Sequence, residues 1–350
     1  MMQVKSFLFL VRLSFILFLY TTNANAFRFV VYSDCRAPKG DASKPFPNNL
    51  YNEEVLTFIN AQIISLSPVP AFVMVLGDMV NFASPNAGSD IIVTNNLTYW
   101  KNFMTSTLNG IRLYVCVGNS DLYGQTTWWT EEARQKEYAK VFKDMPNNGP
   151  TTPVDFRRLV YSFEYGSGNE KAFFVILDSF GIYGTGADAK HCDNDIDPYP
   201  YPQEQINWFS NQIKRSTAHH KFLFSHGPAF SVMGYPVARN IKKVWDIAVE
   251  NKFDTFFCAH EHLYYRWLVD SSAYPTAPGQ LTQILTGTAG AVPDSPANIA
   301  ANPDGRICFN YNFVVVDVGV NNITMQTYGV TKNNDATYTS QLIDIDVIVK

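Results

Sequence analysis

The sequence predicts an α/β protein, and three observations carry that expectation. Short, continuous apolar runs alternate with longer stretches whose apolar residues recur at helical spacing. The runs are bounded by turn residues, as strands buried on both faces are. Five of them lead into an Asp, an Asn or a His, so polar ligands stand at the carboxyl ends of strands, where α/β sheets bind their substrates.

Residues 1–26 read as a secretory signal peptide. Lys5 and Arg12 supply its positive region, residues 13–20 its apolar region, and Ala24-Asn25-Ala26 a small-residue cleavage site before Phe27. A membrane anchor is the poorer reading, because a span needs about 20 unbroken apolar residues and Arg12 interrupts this run. No later stretch has the length and apolarity of an integral membrane span. The expected product is secreted or periplasmic, with one domain over residues 27–350. Its net charge of -4 becomes -6 once Lys5 and Arg12 leave with the peptide. Nucleic acid is therefore not an expected partner, since a phosphate backbone requires clustered Lys and Arg.

The first apolar run, Phe27–Tyr32, leads into Ser33-Asp34-Cys35-Arg36. A helix over 50–66 follows, with Leu56, Ile59, Ile63 and Leu66 on one face, ending before Pro68. Run 71–76 leads into Gly77-Asp78-Met79-Val80-Asn81, and a helix over 90–108 stops at Gly110. Run 113–117 leads into Gly118-Asn119-Ser120-Asp121. Residues 171–178 form another strand, and Pro202 opens a helix over 203–214 with Ile206, Phe209 and Ile213 aligned. Run 221–224 leads into Ser225-His226-Gly227-Pro228. A helix over 238–251 carries Ile241, Val244, Trp245 and Ala248, and run 253–258 leads into Ala259-His260-Glu261-His262. In the tail, 313–320, 323–327 and 341–349 read as strands, the first two joined by an Asn321-Asn322 hairpin turn.

Taken singly, an Asp after a strand is a helix cap, Gly-Asn is a turn, and a lone His is a satisfied polar residue. Five such residues at equivalent strand ends are instead a metal site in sequence form. Carboxylates, imidazoles and one amide oxygen suit Zn, Mn or Fe better than a soft thiolate site would. The five cysteines are an odd number and no disulfide scaffold. Cys116 and Cys258 lie in apolar runs and are expected as buried thiols, whereas Cys192 and Cys308 lie in loop-like sequence and are the expected pair if one bridge forms.

In this order the motifs resemble the signature of the calcineurin-like metallophosphoesterases: D-x-H, G-D-x-x-[DN], G-N-H-[DE], a lone His and G-H-x-H. The resemblance covers residues 27–267. The run 145–150, and the strand 171–178 ahead of a helix bearing Trp208, are similar to bacterial members close to purple acid phosphatases. The resemblance implies a four-layer αββα sandwich of two mixed sheets, with the C-terminal strands from about 280 completing the second sheet. It implies one metal on Asn119, His226 and His260, sharing Asp78 with a second on Asp34, Asp78, His262 and the His of D-x-H. That last position is Arg36, whose guanidinium cannot ligate. The second ion is then left with three protein ligands and weaker retention. Asn81 stands where purple acid phosphatases carry a metal-binding Tyr, so an iron–tyrosinate site is not expected.

A second departure is Ser120, which stands where the resemblance implies a His that protonates the leaving group, oriented by the acid at Asp121. A serine cannot serve as that acid near pH 7, and general acid–base help is worth about 10²–10⁴-fold. Arg36 has two readings: gripping a phosphate bidentately, or pairing with a nearby carboxylate. The segment 181–202 is expected to overhang the site, with His191 a candidate replacement acid. Its Asp193, Asp195 and Asp197 are spaced as in a calcium loop, but Pro198 stands where that loop needs Gly. The implied function is hydrolysis of a small phosphorylated substrate by in-line attack of metal-bound hydroxide, with one or two divalent ions. The alternative is a relative that binds metal or phosphate without turnover.

Overall fold

A computed structural model describes residues 27–38, 50–81, 90–122, 131–180, 201–238, 240–274, 279–296 and 306–350. The expected signal peptide, His191, Cys192 and the acidic run 193–197 lie outside the described residues. The first predicted strand forms as β1 (Phe27–Tyr32), and its period of two decides what lies on either side. Phe29 meets the rings of Phe174 and Phe222 at 5.3 and 5.2 Å. On the other face the Tyr32 hydroxyl donates to Asn60 Oδ1 at 2.9 Å.

The remaining elements follow in order: α1 (Glu53–Ile64), β2 (Phe72–Val75), α2 (Asp90–Thr107), β3 (Arg112–Val115), α3 (Asn119–Leu122) and α4 (Glu131–Val141). Next come β4 (Tyr161–Tyr165), β5 (Ala172–Ile176), α5 (Gln203–Arg215), β6 (His220–Phe224), α6 (Ile241–Glu250) and β7 (Thr255–Cys258). The chain ends with β8 (Tyr264–Val269), β9 (Leu281–Thr286), β10 (Arg306–Cys308), β11 (Tyr311–Val318), β12 (Asn322–Lys332) and β13 (Tyr338–Val349). One sheet runs β13-β12-β11-β1-β2-β3 and the other β10-β8-β9-β7-β6-β5-β4. In the first, β1, β2 and β3 are parallel; in the second, β5, β6, β7 and β9 are. Both sheets are mixed because the strands flanking these parallel cores are antiparallel.

Helices cover both outer faces. The face of α1 with Val55, Leu56, Ile59 and Ile63, and Leu97, Trp100 and Met104 of α2, pack on the first sheet. Ile206 and Phe209 of α5 and Val244 and Trp245 of α6 join Phe173, Val175, Leu223 and Phe256 of the second. Between the sheets lies an aromatic layer in which Phe72 stacks on Phe29 at 5.2 Å and meets Phe174 edge-on at 5.2 Å. This is the four-layer αββα sandwich.

The tail divides between the sheets. β9 and β10 join the second sheet, but β11, β12 and β13 return to the first, with β11 antiparallel to β1. β11 carries five consecutive buried residues, which suits a central position beside β1 rather than an edge. The hairpin between β11 and β12 also differs from the expected Asn321-Asn322 turn. It is closed by the Gly319 N–H donating to the Asn322 carbonyl, and Asn322 is already the first residue of β12. Helix α4 has no counterpart in the sequence expectations: its buried side chains include Gln135 and Tyr138, too few apolar ones to mark a face. Strands β4, β8 and β10 were likewise not expected. Cys308 is a free thiol, as are the buried Cys35, Cys116 and Cys258.

Candidate metal centre

The expected ligands meet where the parallel strands of both sheets end. Asp34 follows β1, Asp78 follows β2, Asn119 opens α3 after β3, His226 follows β6, and His260 and His262 follow β7. Asp34, Asp78 and His260 have φ of 52°, 49° and 76°. A non-glycine residue is uncommon there, and such strain gathers where a site requires it. The loops after β2 and β3 cross so closely that a Cβ on Gly118 would lie 2.4 Å from Asp78 Oδ1. Glycine at 118 is therefore a condition of the site.

The Asp78 carboxylate is almost fully engaged. Oδ1 accepts the Ser120 N–H at 2.7 Å, and Oδ2 accepts the Ser120 hydroxyl at 2.7 Å. His226 Nε2 lies 3.4 Å from Oδ1, and Arg36 Nε 3.2 Å from Oδ2. Burial pushes this acid up, but His226, Arg36 and the Ser120 hydroxyl outweigh it and hold it at about 2. It is a carboxylate at any physiological pH.

Asp121 does not face this cluster, contrary to the expected catalytic role. Its Oδ1 accepts the Met79 N–H at 2.9 Å, and its Oδ2 accepts those of Asp78 and Gly118 at 2.9 and 2.8 Å. Burial and the Asp78 carboxylate push Asp121 up, against the three backbone donors. It is a positioning residue that ties together the loops presenting Asp78 and Asn119.

The histidine tautomers follow from their outer partners. His226 Nδ1–H donates to the Leu76 carbonyl at 2.7 Å, so Nε2 is the nitrogen turned to the cluster, 3.1 Å from Asn119 Oδ1. Asn119 Oδ1 also lies 3.1 Å from His260 Nδ1. Asp34 Oδ1 is buried without a hydrogen-bond donor. Asp34, Asp78 and His226 each present a ligand atom, and these lie within 4.8 Å of one another. Such oxygen and nitrogen donors fit a borderline divalent ion. A thiolate has no part in it: burial and the neighbouring Asp34 push the Cys35 thiol up.

The expected second position is arranged differently. His262 Nδ1–H donates to the Val292 carbonyl at 3.1 Å, and Nε2 lies 3.0 Å from Arg36 Nη2 and 3.4 Å from Asp34 Oδ1. Arg36 thus reaches both His262 and Asp78, and of its two readings the carboxylate pair is the one present. The three side chains expected around a second ion, Asp34, Asp78 and His262, thus stand with the Arg36 guanidinium among them.

Two features of the site escaped the sequence expectations. The segment after β9 crosses under the ligands, with the Ala289 N–H on the Ser33 carbonyl at 2.7 Å and the Ala291 N–H on the Asp34 carbonyl at 2.8 Å. Its signal is weaker than that of the other strands, because Thr282, Gln283 and Thr286 interrupt the apolar residues ahead of Gly287. The other is Glu261, fully buried between the paired histidines, which accepts the N–H groups of Val232 and Met233 at 3.0 and 3.3 Å. Burial raises its carboxyl to about 7 against these bonds.

A sequence model described as Calcineurin-like phosphoesterase matches residues 27–264. No curated protein matches the chain. Among solved structures, it is similar to a purple acid phosphatase from yellow lupin (Lupinus luteus) seeds, with 14% identity and a TM-score of 0.59 over 93% of this chain. The chain spans about half (54%) of the lupin structure's length. A structure of PhoD has 14% identity and a TM-score of 0.61, covering 93% of this chain and 70% of that one. A dimetal phosphatase from Danio rerio has 12% identity and a TM-score of 0.53, covering 91% of this chain and 100% of that one. At these identities the likeness is one of fold.

Proposed function

Because the chain belongs to the calcineurin-like phosphoesterase family, we propose that it is a metal-dependent phosphoesterase acting on a small phosphorylated substrate. The observation that carries this reading is the convergence of Asp34, Asp78 and His226 within 4.8 Å, with Asn119 and His260 beside them. These five residues would hold the ion. A divalent ion lowers the pKa of a coordinated water and polarises a phosphoryl oxygen.

The chain's own residues set the rest. The Leu76 carbonyl keeps His226 Nε2 turned inward. Asp121 fixes the two loops, and the Arg36 guanidinium adds positive charge beside Asp78. Ser120 spends its hydroxyl on Asp78, so no acid stands at that position for the leaving group. That observation favours esters whose leaving groups need no proton. It also supports the second reading, a relative that binds metal or phosphate without turnover. Residues 1–26 would then act as a cleavable export signal.

Turnover of an aryl phosphate by the purified protein, with Mn²⁺ or Zn²⁺ and again after chelation, tests the proposal. Activity should appear with metal and vanish without it. Asp78→Asn should lower metal affinity by more than the ~10–100-fold that loss of an outer partner costs, and abolish turnover. Binding of metal and inorganic phosphate with no turnover of any ester would establish the second reading instead.

A further inference from the structure

We propose that the Arg36 guanidinium is itself the second cation of this centre, so that the chain takes one metal ion and has no position for another. The inference rests on the reading of the site as a metal centre and concerns how many ions it holds.

Three side chains were expected around a second ion: Asp34, Asp78 and His262. The guanidinium engages two of them, with Nε 3.2 Å from Asp78 Oδ2 and Nη2 3.0 Å from His262 Nε2. His262 Nδ1–H is spent on the Val292 carbonyl, so Nε2 holds the only lone pair the ring has to offer. Arginine can only donate, and that lone pair is therefore occupied. Asp78 Oδ2 accepts the Ser120 hydroxyl at 2.7 Å and lies 3.2 Å from Arg36 Nε, so an ion approaching that oxygen meets the guanidinium at close range. The third side chain, Asp34, keeps its Oδ1 without a donor, and Asp34 is already grouped with Asp78 and His226.

The guanidinium is held in place and is not a surface group folded inward. The Arg36 N–H donates to the Asp78 carbonyl at 3.2 Å, its backbone bridges to Tyr51, and its side chain is 13% exposed. Its charge is permanent. A second divalent ion among the same side chains would stand against that charge at close range, with only Asp34 left to neutralise it.

The test is metal stoichiometry, read by elemental analysis and by calorimetric titration of the purified chain with Mn²⁺ or Zn²⁺ after chelation. The wild type should saturate at one ion. His262→Ala should also bind one ion, with affinity changed by less than the ~10-fold that loss of even an outer-shell partner costs. Arg36→His should bind two. Circular dichroism establishes that each variant is folded. If Arg36→His does not fold, the wild type and His262→Ala decide between them. Two ions in the wild type, or a loss of affinity beyond ~10-fold in His262→Ala, would overturn the inference while leaving the metal centre intact. No ion bound by any variant would overturn the metal-centre reading and the inference with it.

Discussion

At Ser120 the contacts decide what the departure from the family pattern does. The hydroxyl donates to Asp78 Oδ2 and the backbone N–H to Oδ1, so the residue braces a metal-binding carboxylate and holds no proton for a leaving group. The rate should therefore depend steeply on leaving-group pKa. Nitrophenyl phosphates should turn over, and alkyl phosphates should be slower by about the 10²–10⁴-fold that a positioned acid is worth. A rate series across substituted phenyl and alkyl esters measures this; a flat series would mean that another residue supplies the proton. Ser120→His should recover little of the difference, below ~10²-fold. Both Asp121 oxygens are taken by backbone donors, so Asp121 is not free to orient the new ring.

Among the helices, α6 carries a consequence that can be read against pH. Its face of Ile241, Val244 and Trp245 is buried, and Lys242 lies at the border of that face, with Nζ 3.1 Å from the centre of the Phe230 ring. Burial lowers the Lys242 ammonium from 10.5 to about 8, with Asp246 opposing the shift. The unfolded chain holds that proton more tightly than the folded one, so folding releases it between pH 8 and 10.5. Stability should rise with pH across that window and level off above it. The gain is at most about 3 kcal/mol, and less because the ring face favours the charged form. Lys242→Met should lack this slope, as denaturant titrations of both proteins at pH 7.5, 9 and 10 would reveal.

Across the whole molecule, the metal centre depends on the contact between the two sheets. Asp34, Asp78 and Asn119 come from strand ends of one sheet, and His226 and His260 from the other. The Phe29 ring crosses the interface between them, meeting Phe174 and Phe222. Phe29→Ala should cost about 3–5 kcal/mol of stability and weaken metal binding as well, although residue 29 touches no ligand. By contrast, Ile345→Ala on the half-exposed β13 should stay within about 0.5 kcal/mol and leave metal binding unchanged. Urea denaturation with calorimetric metal titration on both variants would check the pair. Equal metal affinity in Phe29→Ala and the wild type would show that the two halves of the site hold their geometry without the aromatic layer.

The ligand-bearing strand ends and four of the helices were legible in the sequence because their signals are local. An apolar run followed by Gly-Asp, Gly-Asn or His is written within a few residues, and so is the spacing of Ile206, Phe209 and Ile213. Where a side chain turns at the end of its strand is not local. Arg36 contacts a histidine 226 positions along the chain, and that contact decides whether the second position is open. Asp121 reads as the partner of residue 120, yet the crossing of two loops offers it three backbone N–H groups and turns it away. The destination of β11–β13 is likewise a choice between two sheets of similar apolar character, settled only when β1 accepts β11 along its free edge. Residue types and their order thus determined that carboxylates, an amide and imidazoles gather at strand ends. Tertiary packing alone decided which of their lone pairs remain open to a metal, because that depends on donors brought in from distant parts of the chain.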